Sequence, residues 1–359
     1  MNLLTNDYKI NIPDSTNYIS DLVFPKQEET GECSPNATFV TYKMAGSTGL
    51  VGKENQDSCS VVSIKWNGVK YALSTVSDGH GIYGKKYSEK VTTILPQLII
   101  KRFDDVLQNP NIILKEIFAV VHRNLKTLFK NKQGGTTATV SIFAPGYLVV
   151  ANVGDCEALL KIDSMHDEII FERNGQINNS FILSKLGVIR ATVDHNCNNI
   201  DEVKRVLDTR SHILYASHTN DIQLDVFSPI VQDGITKLIQ TPHSNQVGGF
   251  FCNVSDDPAI YFADCNISLN MTKSFGDWDA TFISSIPDIT KITWAKEKQA
   301  RLLVGTDGYF NCINKKVQDA ELSFDLSPKD ICKRAYKAVG ETFGYADADN
   351  TTLIVFDIA

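Results

Sequence analysis

Residues 69–84 read VKYALSTVSDGHGIYG. The first nine are an apolar, β-branched run of one strand's length, and the run stops abruptly on Asp78-Gly79-His80-Gly81. An acid, two glycines and an imidazole at the end of a strand form the outline of a site. Upstream, SCSVVSIKW (58–66) has the same strand character, and Asn67-Gly68 separates it from VKYALSTV. That dipeptide between two such runs predicts a β-hairpin. A further alternating run, ATFVTYKMA, begins at residue 37.

Two helical patterns follow. Residues 87–103 carry the first, in which Pro96 predicts a kink or a boundary. Residues 111–129 carry the second, with Ile113, Ile117, Val120, Val121, Leu125 and Leu128 on one stripe. His122 lies beside that stripe and has no partner at ligand spacing, so it reads as a packed or surface residue. Strands are expected at 136–144, 147–153 and 157–163, and a short helix at 200–208. Residues 209–268 are the least regular and read as an insertion. Strand patterns return at ITKITWA and RLLVGT, then a helix at 327–340 and a last strand at 351–358. Residues 1–36 are polar, with three prolines and no sustained period, and read as an extension that is loosely packed or disordered. Strands come in runs and helices in pairs, which predicts antiparallel sheets covered by helices rather than βαβ alternation.

Composition narrows the function. The 359 residues hold 35 Lys and Arg against 42 Asp and Glu, so the formal charge is 35 − 42 = −7, with no block of one sign. Binding to nucleic acid or to an anionic membrane is disfavoured as the main activity. No apolar run reaches a membrane span of about 18 residues. The eight cysteines are scattered without a CxxC pair, and MNLLTNDYKI lacks the pattern of a signal peptide. Reduced thiols in the cytosol or nucleus are therefore expected. No heptad suggests an obligate interface, so a monomer is expected.

Carboxylates recur where apolar strands stop or start. Asp78 follows LSTVS, Asp155 follows VVANVG, Asp307 follows LLVGT, Asp349 precedes NTTLIVF, and Asp57 begins SCSVV. Strands end together at the rim of a sheet, so these acids can converge although they are far apart in sequence. Clustered carboxylates repel one another unless a cation neutralises them, and an all-oxygen site suits Mg²⁺ or Mn²⁺. Asp-Gly pairs are common in turns, but several with one recurring layout point to a divalent metal site.

Taken together, these segments resemble the metal-dependent protein serine/threonine phosphatases of type 2C. The matches are NQD (55–57), SDGHG (77–81), GGTTATV (134–140), VANVGD (150–155), VDH (193–195), LNMTKSFGD (269–277), GTDGYFN (305–311) and DADNTTLIV (347–355), in family order. The resemblance covers residues 37–359 and implies one four-layer αββα sandwich with two Mg²⁺ or Mn²⁺ ions at one rim. It implies that Asp78 bridges the two metals, that Gly79 lends its carbonyl, and that Asp307 and Asp349 hold one metal. Asp57 would support the site from the first strand. A water between the metals would attack the phosphorus of a phosphoprotein substrate, and His80 would protonate the departing Ser or Thr oxygen.

The chain departs from the family at four places. Gln56 replaces a Glu, removing one charge from the second metal's shell and weakening affinity. The phosphate-clamping Arg falls on Gly52, leaving neighbouring Lys53 as an inferior substitute because it is a point charge rather than a fork. Glu157 replaces the Arg that follows the GD element, and Asn311 stands where an Asp often helps a third, weaker metal. The leading expectation is a phosphoserine and phosphothreonine phosphatase. Its rival is a weak or inactive pseudophosphatase that binds phosphoproteins or regulates a partner, and a metal-binding structural domain ranks third.

Overall fold

The computed structural model describes residues 18–19, 29–34, 37–44, 47–48, 51–52, 54–163, 169–177, 187–196, 199, 201–202, 205, 226–232, 235–241, 251–252, 258–262, 267–269, 271–280, 283–311, 322–343 and 349–358. Two antiparallel sheets organise them. In chain order their strands are β1 (Tyr18–Ile19), β2 (Glu29–Ser34), β3 (Ala37–Met44), β4 (Ser58–Trp66), β5 (Val69–Ser77), β6 (Ala138–Ala144), β7 (Tyr147–Val153), β8 (Glu157–Ile162), β9 (Ile170–Arg173), β10 (Gln176–Ile177), β11 (Val188–Arg190), β12 (Asp288–Thr293), β13 (Ala300–Gly305) and β14 (Thr351–Ile358). The first sheet runs β1-β4-β5-β6-β7-β12-β9-β10 and the second β11-β8-β13-β14-β3-β2. The helices with described bounds are α1 (Gly84–Lys101), α2 (Phe103–Gln108), α3 (Pro110–Leu128), α4 (Asp307–Phe310) and α5 (Pro328–Phe343).

The expected hairpin is present. β4 pairs with β5 from Ser58↔Ser77 to Trp66↔Val69, and the turn residues Asn67 and Gly68 have φ of 48° and 78°. Two positive φ values define the turn whose twist matches the strands, and Asn-Gly adopts it with least strain.

Successive strand residues point to opposite faces, and here both faces of each sheet are apolar. Val61, Phe143 and Leu148 of the first sheet share a core with Ala158, Leu302 and Phe356 of the second. The opposite face of the first sheet, with Val62, Leu73 and Ile142, packs on Val91 and Leu95 of α1 and Phe118 and Leu125 of α3. Leu159, Leu303 and Val355 of the second sheet pack on Tyr309, Phe310, Ile331 and Cys332. Among the described residues no helix is long and apolar enough to cross a membrane.

Three expectations change in detail. Helix α1 runs through Pro96, which is buried within it, so no boundary falls there. Proline has no N–H to offer the carbonyl four residues back. That carbonyl, on Thr92, instead accepts the hydroxyl of Ser60 at 2.9 Å, so strand β4 completes the helix's hydrogen bonding. Second, pairing reaches back into the N-terminal extension, where β1 pairs with β4 and β2 with β3 as edge strands. Edge strands this short or irregular show no alternation to detect. Third, within 209–268 the described strands form two separate small sheets, one of residues 226–232 and 235–241, the other of 251–252, 258–262 and 267–269. Neither joins the main sheets. Of the expected helix at 200–208, residues 201, 202 and 205 are described, and all are helical.

Candidate active site

Pairing explains why four distant acids meet. Asp57 precedes the start of β4 and Asp78 follows the end of β5, and these two strand ends are partners, Ser58 with Ser77. Asp307 follows the end of β13 and Asp349 comes shortly before β14, and those strands are partners through Gly305 and Leu353. Each sheet therefore delivers two carboxylates to one rim. Thr306 joins the pairs by donating its hydroxyl to Asp57 Oδ2 at 2.9 Å. The Asn350 amide nitrogen donates to the Glu54 carbonyl at 3.0 Å, which ties the Asp349 corner to the loop before β4. Gly308 permits the closest approach, since a Cβ there would lie 2.1 Å from the Asn350 carbonyl oxygen.

Asp78 is fixed through its backbone. Its carbonyl accepts the Thr136 hydroxyl at 2.8 Å and the Thr137 N–H at 2.9 Å, and its own N–H donates to the Thr137 hydroxyl at 2.9 Å. The two threonines of GGTTATV are thus a clamp on the strand end. Burial pushes the Asp78 carboxyl well above the usual range, and the negative charges of Asp57, Asp307 and Asp349 push it further. Its contact with Asp307 raises it as well. Asp57 is raised to about 7, first by burial and then by Asp307 and Asp349, with the Thr306 hydroxyl pulling the other way.

This donor set fits a hard divalent cation. Among the described residues no three His, Cys, Asp or Glu side chains are gathered into a ready-made ligand cluster. Mg²⁺ does not need one, because it keeps several waters and takes one or two carboxylates from the protein. Carboxylates crowded until they hold protons near neutral pH are a place where a cation replaces protons.

Gly79, His80 and Gln56 lie beside this rim. Gly79 and His80 form a short strand beside Gly135–Thr136, which in turn pairs with Phe275–Gly276. Gln56 donates its amide to the Gly81 carbonyl at 3.0 Å, a bond that a Glu carboxylate could not make. Gly52 is in a two-residue strand paired with Ser47–Thr48, and Lys53 lies outside the described residues. Asn311 donates its amide to Asp307 Oδ2 at 3.3 Å.

The partner of His80 is a residue that sequence reasoning did not single out. Its Nε2 lies 2.8 Å from Asp277 Oδ2, and the Asp277 side chain is only 5% exposed. Ser274 donates to the same oxygen, and the Asp277 N–H bonds the Gly134 carbonyl at 3.1 Å. The other ring nitrogen, Nδ1, is buried and has no hydrogen-bond partner among the described residues. A carboxylate on Nε2 orients the ring, leaving Nδ1 as the atom able to give or take a proton. The signal lay in LNMTKSFGD, whose final residue is this Asp. His122 packs on Trp278 with ring centroids 4.9 Å apart, as a packed histidine should.

The fold and motifs have known counterparts. Residues 67–215 match the protein phosphatase 2C family model. The chain resembles a solved serine-threonine phosphatase 2C from Toxoplasma gondii, with a TM-score of 0.63 and 16% identity over 94% of this chain and 99% of that one. A second Toxoplasma gondii phosphatase gives 0.55 and 14%, covering 94% and 95%. A sex-determining protein of C. elegans gives 0.52 and 16%, covering 89% of this chain and 64% of that one. No curated protein matches in sequence.

Proposed function

We propose that this chain, whose residues 67–215 match the protein phosphatase 2C family model, is a metal-dependent protein serine/threonine phosphatase that uses His80 as general acid. The observation that carries the reading is the convergence on Asp78 of Asp57, Asp307 and Asp349, from the paired strand ends of both sheets. Two divalent ions, when bound, would neutralise the phosphate and supply an activated water. Asp78 would touch both, Asp307 and Asp349 would hold one, and the Gly79 carbonyl and the Gln56 amide would face the other. Asp57, held by Thr306, would keep the first strand's end in register with them and orient water. Lys53 is the cation proposed to meet the phosphate. The proton on His80 Nδ1 would pass to the Ser or Thr oxygen as the ester bond breaks, while Asp277 balances the ring's charge.

The same reading takes the three apolar interfaces as a four-layer αββα sandwich and residues 209–268 as an insertion in it. Phosphoproteins are the proposed substrates. Cys59, Cys156 and Cys332 are buried, and the same reading takes the protein as cytosolic or nuclear. A pseudophosphatase remains the second reading, favoured by the engagement of Gln56 with a backbone carbonyl in place of a Glu.

The purified chain should hydrolyse p-nitrophenyl phosphate and a phosphothreonine peptide with Mn²⁺ or Mg²⁺, and neither in EDTA. No turnover at millimolar Mn²⁺ selects the pseudophosphatase. His80→Asn should slow the phosphothreonine peptide about 10²-fold, but p-nitrophenyl phosphate much less, because nitrophenolate departs without a proton. Equal losses on both substrates remove the acid role.

A further inference from the structure

A groove of about 560 Å³ opens beside His80 and Asp277 and runs over the end of α3. Three lysines line it, Lys126, Lys130 and Lys132, all within the seven residues KTLFKNK. The chain as a whole is acidic, and several of its described cations are paired with a carboxylate, as Lys85 is with Glu54, Arg190 with Glu157 and Lys291 with Glu172. Among the described residues, none of the three groove lysines has a carboxylate partner. Of the acids on the wall, Asp277 is taken up by His80 and Ser274, which leaves Asp279 against three ammonium groups.

The lysines are held on a built surface. Lys126 Nζ sits 5.9 Å from the ring centre of Trp278, and Lys132 Nζ lies 5.2 Å from that of Tyr83. The turn that carries Lys130 and Lys132 is fixed from both sides. Tyr87 donates its hydroxyl to the Lys132 carbonyl at 3.0 Å and accepts the Trp278 indole N–H at 2.9 Å. The Tyr83 N–H bonds the Gln133 carbonyl at 3.1 Å, so the wall is tied to the backbone just past His80.

The position of the groove identifies what would enter it. The inference rests on the phosphatase reading, in which the phosphate lies at the carboxylate rim and its leaving oxygen at His80. The leaving group of a phosphoprotein is the protein itself, so the polypeptide leads away from His80 into this groove. We propose that Lys126, Lys130 and Lys132 recognise an acidic segment of polypeptide flanking the phosphorylated residue. Lysines suit this task because each is a compact charge on a flexible stem, able to meet carboxylates at varied positions without the bidentate geometry an arginine imposes. Several such contacts add up and weaken with salt.

The test is a binding measurement that needs no turnover. Two fluorescent phosphothreonine peptides, one flanked by glutamates and the other by glutamines, are titrated in EDTA and followed by anisotropy. The acidic peptide should bind about tenfold tighter at low salt, and the preference should shrink as salt rises. The triple variant K126Q/K130Q/K132Q should bring the ratio to about one. Lys115→Gln, three turns earlier on the same helix, should leave it in place. If the triple variant fails to fold by circular dichroism, Lys130→Glu alone should reduce the ratio by at least about threefold. Equal binding of the two peptides, or a preference that survives the lysine changes, overturns the proposal. So does tight binding of a peptide with phosphoserines in place of the glutamates when the glutamate peptide shows no preference. A protein that hydrolyses both peptides but binds them equally keeps the phosphatase reading and loses the groove. One that shows the preference without turnover loses the phosphatase reading and keeps the groove.

Discussion

The carboxylates around Asp78 and the charges around Asp288 are both at least partly buried in this fold, and they obey opposite electrostatics. At the Asp288 group, His195 Nε2 lies 2.7 Å from Asp288 Oδ2, and Lys273 Nζ lies 3.4 Å from that oxygen and 3.3 Å from Glu202. Arg205 donates to Glu202 at 2.7 Å and to the Thr272 carbonyl at 2.7 Å. Burial alone would raise the Asp288 carboxyl, but the hydrogen bond and charge of His195, then Lys273, hold it below the usual range. Glu202 is lowered in the same way by Arg205 and Lys273 against burial. Every charge there has an opposite. Around Asp78 the charged neighbours are all acids, and the Asp78 and Asp57 carboxyls rise. A balanced buried network reads as structure, tying the 271–277 segment to β12, whereas an unbalanced one reads as a seat for something the chain does not itself supply.

The sharpest way to break this contrast is to remove one acid from each group. Asp307→Asn should lower metal-dependent hydrolysis about 10³-fold or more and at the same time raise Tm in EDTA, because it relieves repulsion. A lower Tm in EDTA would show that the cluster is already compensated. Asp288→Ala should do the reverse to stability, costing about 3 kcal/mol in urea unfolding, since it leaves Lys273 and His195 without their shared partner. A loss below about 1 kcal/mol would demote that network to a minor contributor.

Acidity separates the two groups without mutation. Asp57 and Asp78 have raised folded values, so the metal-free protein should gain stability, on the order of a few kcal/mol, as pH falls from above 7 towards 4. Asp288 and Glu202 have depressed values, so their contribution is present above about 4 and is lost as pH falls below it. Melting in EDTA should therefore be highest in mildly acidic buffer. Saturating Mg²⁺ or Mn²⁺ should remove the upper slope, since the cation displaces the protons. A flat profile between pH 8 and 5 in EDTA would break the contrast. The smallest effect is expected at Gln56→Glu. It adds a fifth acid and loses the donor to Gly81, so it should lower metal-free stability by about 1 kcal/mol while reducing the Mn²⁺ needed for half-maximal activity a few-fold. An unchanged metal requirement would put residue 56 outside the metal shell.

Much of the rim was legible in the chain because it uses local signals. Asp78, Asp307 and Asp349 each sit at or near a strand end marked by an apolar run, and Asn67-Gly68 announces the hairpin that sets Asp57 beside Asp78. What was not legible depends on pairs with no local trace. Asp277 lies 197 residues from His80. The network of Lys273, Glu202 and Asp288 draws on three separate segments, and nothing in NMTKSFGD says that its lysine is buried. The lysines of KTLFKNK carry no local mark of a site, and only the fold sets them beside His80. Pro96 misled because a strand hydroxyl took over the bond it forgoes, and no rule of helix composition contains that hydroxyl.

That substitution at Thr92 has a mechanical consequence. Helix α1 is pinned to β4 by the Ser60 hydroxyl, eight residues along from Gly84 or about 12 Å at 1.5 Å per residue. Beyond the pin, the helix leads straight into the turn that carries His80. The pin acts as a fulcrum, and the helix's first two turns act as a short stiff arm ending at the imidazole. Any slide of α1 along the sheet would have to break a buried hydrogen bond before it could move the ring, so the tolerance of the imidazole's position is set by a proline and a serine two turns away from it.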